Sequence, residues 1–436
     1  MTAVVDEEVV ARPSMVEVPP STRKRMITGL ALVAAGLIMF FAWGLGADNG
    51  DAAFAVSQFG DRFQIGALRF PGGGVAMALG VIVVALGMGQ VLSGYTKRQM
   101  RWVLVTSVTL FVVAFLCWAA TANPENPISL TGLVQQSIVS ALPLILGALA
   151  GIVCERSGVI NIAIEGQMLL GAFAGALFAS SSGDLNVGII AAAIGGALIG
   201  LLLAVFAIRY QVNQVVLGVV LNAFALGLTN LGFHSIMAGV DNSAKYNAGA
   251  VLDPIKIPLL GDIPIIGQAL FNVNIIFYIT YILIIVVDVG LFRTRWGLRT
   301  RAVGEHPKAA DTVGINVNRV RYRNVLIGGL IAGLAGAALT IGGSGQFNSN
   351  VSSGKGFIAL AAVIFGRWSP RGAVAAALLF GFTDQLQTTL TIVGTPVQIP
   401  SAFLAMAPYI VTVIAVAGFV GRVQAPAADG EPYTKG

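Results

Sequence analysis

Apolar runs of about 20 residues recur along this chain, and they constrain its fold more than any other feature of the sequence. A helix needs about 20 mainly apolar residues to cross the hydrocarbon core of a bilayer. Hydrophobic residues make up 56% of the 436 residues and charged residues 11%, whereas soluble domains carry about 25% charged residues. The sequence therefore predicts an all-α, polytopic membrane helical bundle of about 10–12 spans with at least one broken or short helix. The candidate spans are 28–46, 72–94, 102–121, 131–153, 158–180, 187–208, 213–236, 272–292, 324–342, 371–390 and 401–420, and a shorter run, 357–366, suits one half of a broken helix.

The positions of lysine and arginine predict the orientation of these spans. With a cytoplasmic N-terminus, and with 357–366 counted as part of a crossing, 21 of the 26 lysines and arginines fall in inner segments and five in outer ones. Cytoplasmic loops of membrane proteins carry such an excess. We therefore expect a cytoplasmic N-terminus and a cytoplasmic position for the basic segment 293–323. Because the basic residues lie between spans, the net charge of +6 indicates contact with membrane lipid and no nucleic-acid partner.

The chain divides by composition into tails, an extension and a core. Residues 1–22 and 421–436 are polar, lack periodicity and are predicted to be disordered cytoplasmic tails. Residues 23–127 form an N-terminal extension with three spans and few polar residues inside them, whereas 128–420 form a core in which polar residues recur within the spans. Because polar groups are costly at membrane depth, we expect function to reside in that core.

The sequence carries no pattern typical of a catalytic, cofactor or metal site. Its two histidines, His234 and His306, and its two cysteines are too scattered for a metal cluster. The Gly-Lys pair in SNVSSGKG, 349–356, lacks both the upstream glycine and the Ser or Thr of a nucleotide-binding loop. If the chain moves a solute uphill, the energy must therefore come from a partner or from an ion gradient.

The first polar set within the core lies in CERSGVINIAIEGQ, 154–167, between two apolar runs. Gly158 and the β-branched pair that follows it favour a break in the helix there, and transporters build binding sites at such breaks. Two members, Glu155 and Arg156, suit the cytoplasmic rim, paired with each other or with a neighbouring helix. For Asn161 and Glu165, a structural hydrogen bond and contact with cargo remain alternatives.

A second set, Asn213, Gln214 and Asn222, consists of uncharged groups that can orient a polar ligand. Gln214 and Asn222 are eight residues apart, so they share roughly one helix face. Bonds between helices and lining of a solute pathway are both open for this set. Phe347, between two amide side chains, would suit an aromatic cargo, although an ordinary outer loop also accounts for it.

The basic segment 293–323 has a centre that its positive charge does not explain. The segment carries eight lysines and arginines, seven of them outside its centre EHPKAADTVG, in which Glu305, the pair Ala309–Ala310 and Gly314 have spacings that suit one short helix. Pro307 is acceptable in a first turn and Gly314 can end the helix. Such a helix could dock into a groove of another protein, whereas a basic loop that only sets topology would explain the arginines alone.

Several long motifs, in order, resemble the membrane subunit of bacterial nucleoside ABC importers, within the branched-chain amino acid and ribose permease superfamily. They are CERSGVINIAIEGQMLLGAFAGAL, NQVVLGVVLNAFALGLTNL, PLLGDIPIIG, FRTRWGLRTRAVGEHPKAADTVGINVNRVRYRNV and GKGFIALAAVIFGRWSPRGAVAAALLFGF, within 128–420. The resemblance implies a multi-pass protein of the bacterial cytoplasmic membrane that has no nucleotide site of its own. It also implies three partners, namely a cytosolic ATPase that binds ATP, a second, non-identical permease and an extracytoplasmic substrate-binding lipoprotein. The coupling residues that it implies are Arg301, Gly304, Glu305, Ala309, Ala310 and Gly314.

Four functions follow as hypotheses. The first is a permease half of an ABC importer for nucleosides, with Asn161, Glu165, Asn213, Gln214, Asn222 and Phe347 as candidates to line the pathway. The second is the same importer class carrying simple sugars or branched-chain amino acids. The third is an ion-coupled secondary transporter, for which Glu165 is the best embedded carboxylate, and the fourth is a membrane scaffold, which the amide-bearing spans disfavour.

Overall fold

A computed structural model describes residues 22–46, 50–56, 66–263, 265–397, 399–406, 410 and 424–435. Almost all of the predicted N-terminal tail, and most of the predicted span 401–420, lie outside these residues. Among the described residues, eight helices are long and apolar enough to cross a membrane. Two further helices have comparable lengths of 19 and 24 residues. The prediction of an all-α, polytopic membrane bundle is therefore confirmed.

The described chain forms two units, and the first comprises residues up to 54, then 67–128 and 393–398. Its elements are α1 (Thr22–Ile38), which continues as a π-helical turn over Met39–Leu45, then β1 (Asp51–Ala55), β2 (Leu68–Pro71), α2 (Gly72–Leu92) and α3 (Lys97–Ala119). β1 and β2 pair antiparallel. Glycines bring α1 and α2 together, since a Cβ at Gly36 would lie 2.7 Å from the Gly80 carbonyl oxygen. Such close approach stabilises helix pairs in lipid by direct packing.

The second unit comprises residues 55–66, 129–392 and 399 onward. Short strands β3 (Ile128–Ser129), β4 (Ile255–Lys256) and β5 (Asn272–Val273) accompany the helices, and β4 pairs antiparallel with β5. The helices are α4 (Leu130–Glu155), α5 (Ile164–Ser182), α6 (Leu185–Ala204), α7 (Gln214–Gly232), α8 (Val240–Tyr246), α9 (Ile266–Phe271), α10 (Ile275–Arg293), α11 (Arg295–Glu305), α12 (Pro307–Thr312), α13 (Val317–Leu339), α14 (Lys355–Phe365), α15 (Pro370–Val393) and α16 (Ser401–Ala405). π-Helical turns extend α6 over Val205–Arg209, α7 over Phe233–Met237 and α13 over Thr340–Ser344, and Leu260–Asp262 forms a 3₁₀ turn.

Helix α4 lies at the centre of the second unit, because 83% of its most apolar stretch is buried. Around it, α6 and α13 approach each other through glycines. A Cβ at Gly196 would lie 2.3 Å from the Gly329 carbonyl oxygen, and one at Gly333 would lie 2.2 Å from the Ala192 carbonyl oxygen. Any larger residue at these positions would push the two helices apart.

The predicted break near Gly158 is confirmed, since α4 ends at Glu155 and α5 begins at Ile164. Gly158 has a φ of +82°, which glycine adopts without a steric penalty. The start of α5 lies deep in the unit, because a Cβ at Gly147 would lie 3.3 Å from Ile164. Gly147 precedes the end of α4 by eight residues, or about 12 Å at 1.5 Å per residue. The connecting segment 156–163 therefore runs back into the bundle before helix resumes.

Candidate functional site

The start of α14 lies beside the start of α5, and one carboxylate joins them. Glu165 Oε1 accepts hydrogen bonds from the Gly354 backbone N–H (2.8 Å) and from Ser352 Oγ (2.6 Å), while Oε2 accepts from the Gly356 backbone N–H (2.6 Å). The start of α14 directs backbone N–H groups toward this charge, and helix N-termini favour negative groups. Glu165, which could have been structural or cargo-binding, therefore has a structural position in this conformation.

The amides of α7 hold the connecting segment 156–163 in place. Asn222 Oδ1 accepts from the Gly166 backbone N–H (2.8 Å) and Nδ2 donates to the Ile162 carbonyl (2.9 Å). Gln214 Oε1 accepts from the Ile160 backbone N–H (2.7 Å). The predicted shared face of these two amides is thus confirmed, and the face is directed at the unwound backbone. Because unwound backbone at membrane depth needs substitute partners, the two amides stabilise the break.

Three other candidates for the pathway occupy different surroundings. Asn213 is exposed and caps α7, with Oδ1 accepting from the Val215 and Val216 backbone N–H groups. Asn161 is buried and donates to Gln167 Oε1 at 3.0 Å, while its own Oδ1 has no hydrogen-bond partner among the described residues. Phe347 is fully buried against Phe173 and Phe233, so its ring is not open to a solute in this conformation. Asn161 is therefore the candidate with an unused polar atom.

The end of α4 is tied to the junction between α14 and α15. Trp368 Nε1 donates to Glu155 Oε2, and Arg156 Nε donates to the Trp368 carbonyl at 3.0 Å. Arg156 also lies against Phe292 of α10. Of the two arrangements open for Glu155 and Arg156, pairing with neighbouring helices is the one observed. Burial lowers the pKa of Arg156, and the nearby Glu305 carboxylate opposes that effect.

The centre of the basic segment forms two short helices, so the prediction of one helix starting near Glu305 is wrong. Glu305 ends α11, and His306 leaves the helical region with φ −142° and ψ 79°. The reason is Pro307, because the residue before a proline is disfavoured in α-helix. Pro307 begins α12, as expected, and Gly314 follows its end with a φ of +83°.

Helix α12 ends in a Schellman motif, and its two alanines differ in exposure. The Ile315 N–H bonds to the Ala310 carbonyl (3.0 Å) and the Gly314 N–H bonds to that of Asp311 (2.9 Å), the two bonds of this motif. Ala310 is 3% exposed and packs in a cluster with Val303, Val317, Val320 and Tyr433. Ala309, Glu305 and Gly314 are exposed. A partner could therefore contact Ala309 directly, whereas Ala310 supports the helix from below.

Val313 is an exposed residue in this region that the sequence reasoning did not single out. It is 74% exposed directly after the last residue of α12, beside the exposed Gly314. The sequence could have indicated this exposure, because Val313 stands between Thr312 and the predicted capping glycine, outside any apolar face of α12. Val313 extends the candidate docking surface of Glu305, Ala309 and Gly314.

Helix α11 is locked to the rest of the unit by close packing and by Asn324 of α13. A Cβ at Gly304 would lie 2.3 Å from the Arg156 carbonyl oxygen. Asn324 donates to Thr300 Oγ1 and accepts from Trp296 Nε1, both at 3.0 Å. The predicted coupling residue Arg301 is half-buried, with its guanidinium 5.3 Å from the centroid of the Phe292 ring. Movement of α11 would therefore reach the backbone that follows α4.

Arg321 is 1% exposed, although the sequence analysis included it among the cytoplasmic basic residues that set the orientation of the spans. Its Nε donates to the Ser157 carbonyl (3.2 Å) and its Nη1 to the Glu431 carbonyl (2.8 Å). Helical spacing could have predicted its burial. Positions 317, 320, 321, 324 and 325 recur on one face of α13, and all of them are buried. Arg321 thus joins the break to the C-terminal residues.

Residues 424–435, which the sequence predicted to be disordered, lie against α11 and α12. The Ala428 N–H donates to the Gly304 carbonyl at 2.9 Å, and the Ala427 N–H donates to Glu305 Oε2 at 3.2 Å. Tyr433 is buried in the cluster that contains Ala310. Composition suggested disorder because the segment is short and polar, but its few apolar side chains and its carbonyls find partners in distant parts of the chain. We refer to 424–435 as the C-terminal segment.

A cavity of about 590 Å³ lies between the break, α14 and the C-terminal segment. Glu155, Ile162, Val215, Trp368 and Asp429 are among the residues that line it. Burial, and then the charge of Glu155, raise the pKa of Asp429 to about 8, against the opposing effect of Arg321. The cavity thus combines apolar walls, an indole and two carboxyl groups.

The described residues contain no group of three or more His, Cys, Asp or Glu side chains that could hold a metal ion. Both cysteines, Cys117 and Cys154, are free and buried.

A family model described as branched-chain amino acid transport system / permease component matches residues 133–418. The guanosine ABC transporter permease protein NupQ of Bacillus subtilis is 42% identical over 316 residues, covering 70% of this chain and 97% of the relative. The nucleoside ABC transporter permease protein NupC of Lactococcus lactis is 37% identical, covering 70% and 96%. The putative glucose ABC transporter permease protein TsgC13 of Haloferax volcanii is 34% identical, covering 59% and 77%. No solved structure shows a significant match.

Proposed function

Because this chain belongs to the branched-chain amino acid transport system permease family, we propose that it is the membrane-spanning subunit of an ATP-driven ABC importer for nucleosides. The observation that carries this proposal is its identity of 42% and 37% to two nucleoside permeases across nearly their whole length. The relative named for glucose is less similar and less completely covered. The eight apolar helices agree with a multi-pass protein of the cytoplasmic membrane.

The proposed importer needs partners that supply energy and cargo. A cytosolic ATPase would bind and hydrolyse ATP, a second, non-identical permease would complete the translocation pathway, and an extracytoplasmic lipoprotein would deliver the nucleoside. In this arrangement the ATPase contacts the exposed surface of Glu305, Ala309, Val313 and Gly314. The surface is suited to this role because it is solvent-exposed while α11 behind it is rigidly packed.

We propose that force on this surface reaches the pathway through the backbone that follows α4. Gly304 packs against the Arg156 carbonyl, and Arg321 holds the Ser157 carbonyl. Displacement of α11 therefore acts on the connecting segment 156–163. That segment is anchored to α7 by Gln214 and Asn222, and α5 is joined to α14 by Glu165. A rigid-body shift of these elements would alternate access to the pathway.

The cavity beside the break is our candidate for the inner end of the nucleoside route. Its volume of about 590 Å³ falls within the range of about 300–1,000 Å³ that is usual for small-molecule sites. Apolar walls and the Trp368 indole suit the face of a base, and carboxyl groups can accept hydrogen bonds from a base or ribose. Asn161, with its free Oδ1, is the neighbouring candidate for cargo contact.

The geometry of Glu165 disfavours the ion-coupled alternative. Both of its oxygens accept hydrogen bonds from the loop before α14 or from its first residues, so the carboxylate already has partners of its own. An ion-coupling carboxylate must exchange its partners with a bound ion during each cycle. Glu165 instead links the start of α5 to the start of α14, and loss of its hydrogen bonds would destabilise both helix starts.

Uptake measurements test the function directly. The chain would be expressed together with its ATPase, second permease and lipoprotein, in a strain that lacks its own nucleoside importers. We expect ATP-dependent uptake of labelled guanosine or another nucleoside, with competition by unlabelled nucleosides and none by ribose. Competition by ribose without competition by any nucleoside would instead support the sugar alternative.

A further inference from the structure

The C-terminal segment and α12 together form the two walls of one groove of about 650 Å³. Glu305, Lys308 and Ala309 line the first wall, and Glu431, Pro432 and Thr434 line the second. The second wall is anchored from below, because Tyr433 is buried and Arg321 donates to the Glu431 carbonyl at 2.8 Å. Gln211 Nε2 also donates to the Tyr433 carbonyl at 3.3 Å. The groove is therefore a built feature of the fold.

The charge of the groove differs from that of its surroundings. The segment 293–323 carries eight lysines and arginines and two acidic residues, Glu305 and Asp311. The groove brings Glu305 together with Glu431, which lies more than 100 residues away in sequence, and both side chains are exposed. With Lys308 on the first wall, the groove holds two carboxylates and one ammonium group. Its excess of negative charge within a basic region is complementary to a basic side chain whose neighbours are acidic.

We propose that this groove is part of the surface bound by the cytosolic ATPase, and that it receives a lysine or arginine side chain of that subunit. The inference rests on the proposed function, which puts the ATPase on the exposed face of α12. A protein surface that enters the groove beside Ala309 would also contact the C-terminal segment, because both line the same groove. The C-terminal segment is thereby a second docking element, and Glu305 and Glu431 determine which charge it accepts.

Changes of charge at Glu431 test the proposal, and Glu431→Gln is the milder change, because the Glu431 charge also favours the buried Arg321 guanidinium. The anchoring bond from Arg321 ends on the backbone carbonyl of Glu431, so a change of its side chain leaves that bond in place. Lys435→Glu is the matched control, because Lys435 is exposed in the same segment and does not line the groove. The readout is the amount of ATPase retained by the tagged permease complex in detergent, measured over a series of NaCl concentrations.

We expect Glu431→Arg to weaken ATPase retention about tenfold at low salt, with a smaller difference at high salt, because like charges then meet in the groove. Glu431→Gln should weaken it less, and Lys435→Glu should leave it unchanged. The thermal unfolding temperatures of Glu431→Gln and Lys435→Glu should stay close to that of the wild type, so weaker retention by Glu431→Gln reports the loss of a contact with the ATPase.

A third variant, Val313→Arg, separates this inference from the proposed function. If Val313→Arg loses the ATPase while Glu431→Arg retains it fully, the C-terminal segment is not a docking element and the proposed function stands. If both variants bind as the wild type does, the docking surface itself is wrong. Equal weakening by Lys435→Glu and Glu431→Arg would also overturn the proposal, since the effect would not depend on the groove.

Discussion

Glu165 Oε2 accepts a hydrogen bond of 2.6 Å from the backbone N–H of Gly356, 191 residues further along the chain. The bond links the first turn of α5 to the first turn of α14, inside a bundle where unpaired backbone groups are costly. A Cβ at Gly356 would lie 2.5 Å from the Glu165 backbone, so the two helix starts are in direct contact. The starts of α5 and α14 therefore form one hydrogen-bonded contact.

Replacing Glu165 with glutamine should destabilise the protein. The amide NH₂ group cannot accept the bonds that one carboxylate oxygen accepts from Gly354 or Gly356. Leaving a buried backbone donor unsatisfied costs about 1–3 kcal/mol. Thermal unfolding in detergent measures this effect, and Glu125→Gln, at an exposed glutamate, is the control. An unchanged unfolding temperature, together with ion-dependent uptake by the wild type, would contradict the structural role.

Replacing Asn222 with leucine should loosen the break between α4 and α5. Leucine has the same number and branching of side-chain heavy atoms but leaves the Gly166 N–H and the Ile162 carbonyl without their partner. We expect a loss of about 1–3 kcal/mol in the free energy of unfolding and slower nucleoside uptake. Denaturant unfolding and uptake assays report the two effects, with exposed Asn318→Leu as the control. Wild-type stability for Asn222→Leu would show that the break is held by other groups.

The two alanines of α12 should respond differently to arginine. Ala310→Arg places a charged side chain among Val303, Val317 and Tyr433, so it should lower stability as well as uptake. Ala309→Arg changes an exposed position and should leave the unfolding temperature within about 2 °C of wild type while abolishing uptake. A nucleoside uptake assay and a thermal melt measure the two outcomes. Normal uptake by Ala309→Arg would remove α12 from the docking surface.

Attachment of the C-terminal segment should weaken as pH rises. The buried position of Asp429 beside Glu155 raises the pKa of Asp429 to about 8, from its usual value of 3.8. Between these two pH values the detached segment has lost a proton that the attached segment keeps. Attachment is therefore strongest at low pH, weakens progressively as the pH rises toward about 8, and does not change further above that. Hydrogen–deuterium exchange of 424–435, from about pH 6.5 to about pH 9, measures this. Asp429→Asn should remove the trend, and identical curves for the variant and the wild type would contradict it.

Gly158 should tolerate no side chain at the break. Its φ of +82° strains any other residue, and a Cβ there would lie 2.8 Å from Arg321 Nη2. We expect Gly158→Ala to cost about 1–3 kcal/mol. Gly227→Ala in α7 is the matched control, because nothing lies within 4 Å of its Cβ position and alanine favours helix. Equal unfolding temperatures for the two variants would argue against strain at the break.

Local features of the sequence determined the class of the protein and several of its details. Membrane helices are recognisable in the sequence because a run of about 20 apolar residues is long enough to span the hydrocarbon core. The break at Gly158, the shared face of Gln214 and Asn222, and the roles of Pro307 and Gly314 followed in the same way, because each depends on neighbours within a few turns. The split at His306 was equally local, and the proline that causes it was visible in the sequence.

The tertiary structure decided which polar groups are committed to the fold and which face a partner. Glu165 bonds to Gly356 and Arg321 bonds to Glu431, while Ala310 lies in one hydrophobic cluster with Tyr433. All three contacts join distant parts of the chain. Composition could not show that a short polar C-terminal segment would find buried partners, since its order depends on carbonyls and apolar surface supplied by other helices. The sequence by itself determined that the chain lies in a membrane and where its helices are interrupted. Only the packing of those helices decided what each interruption is bonded to, because hydrogen bonds and burial depend on neighbours in space.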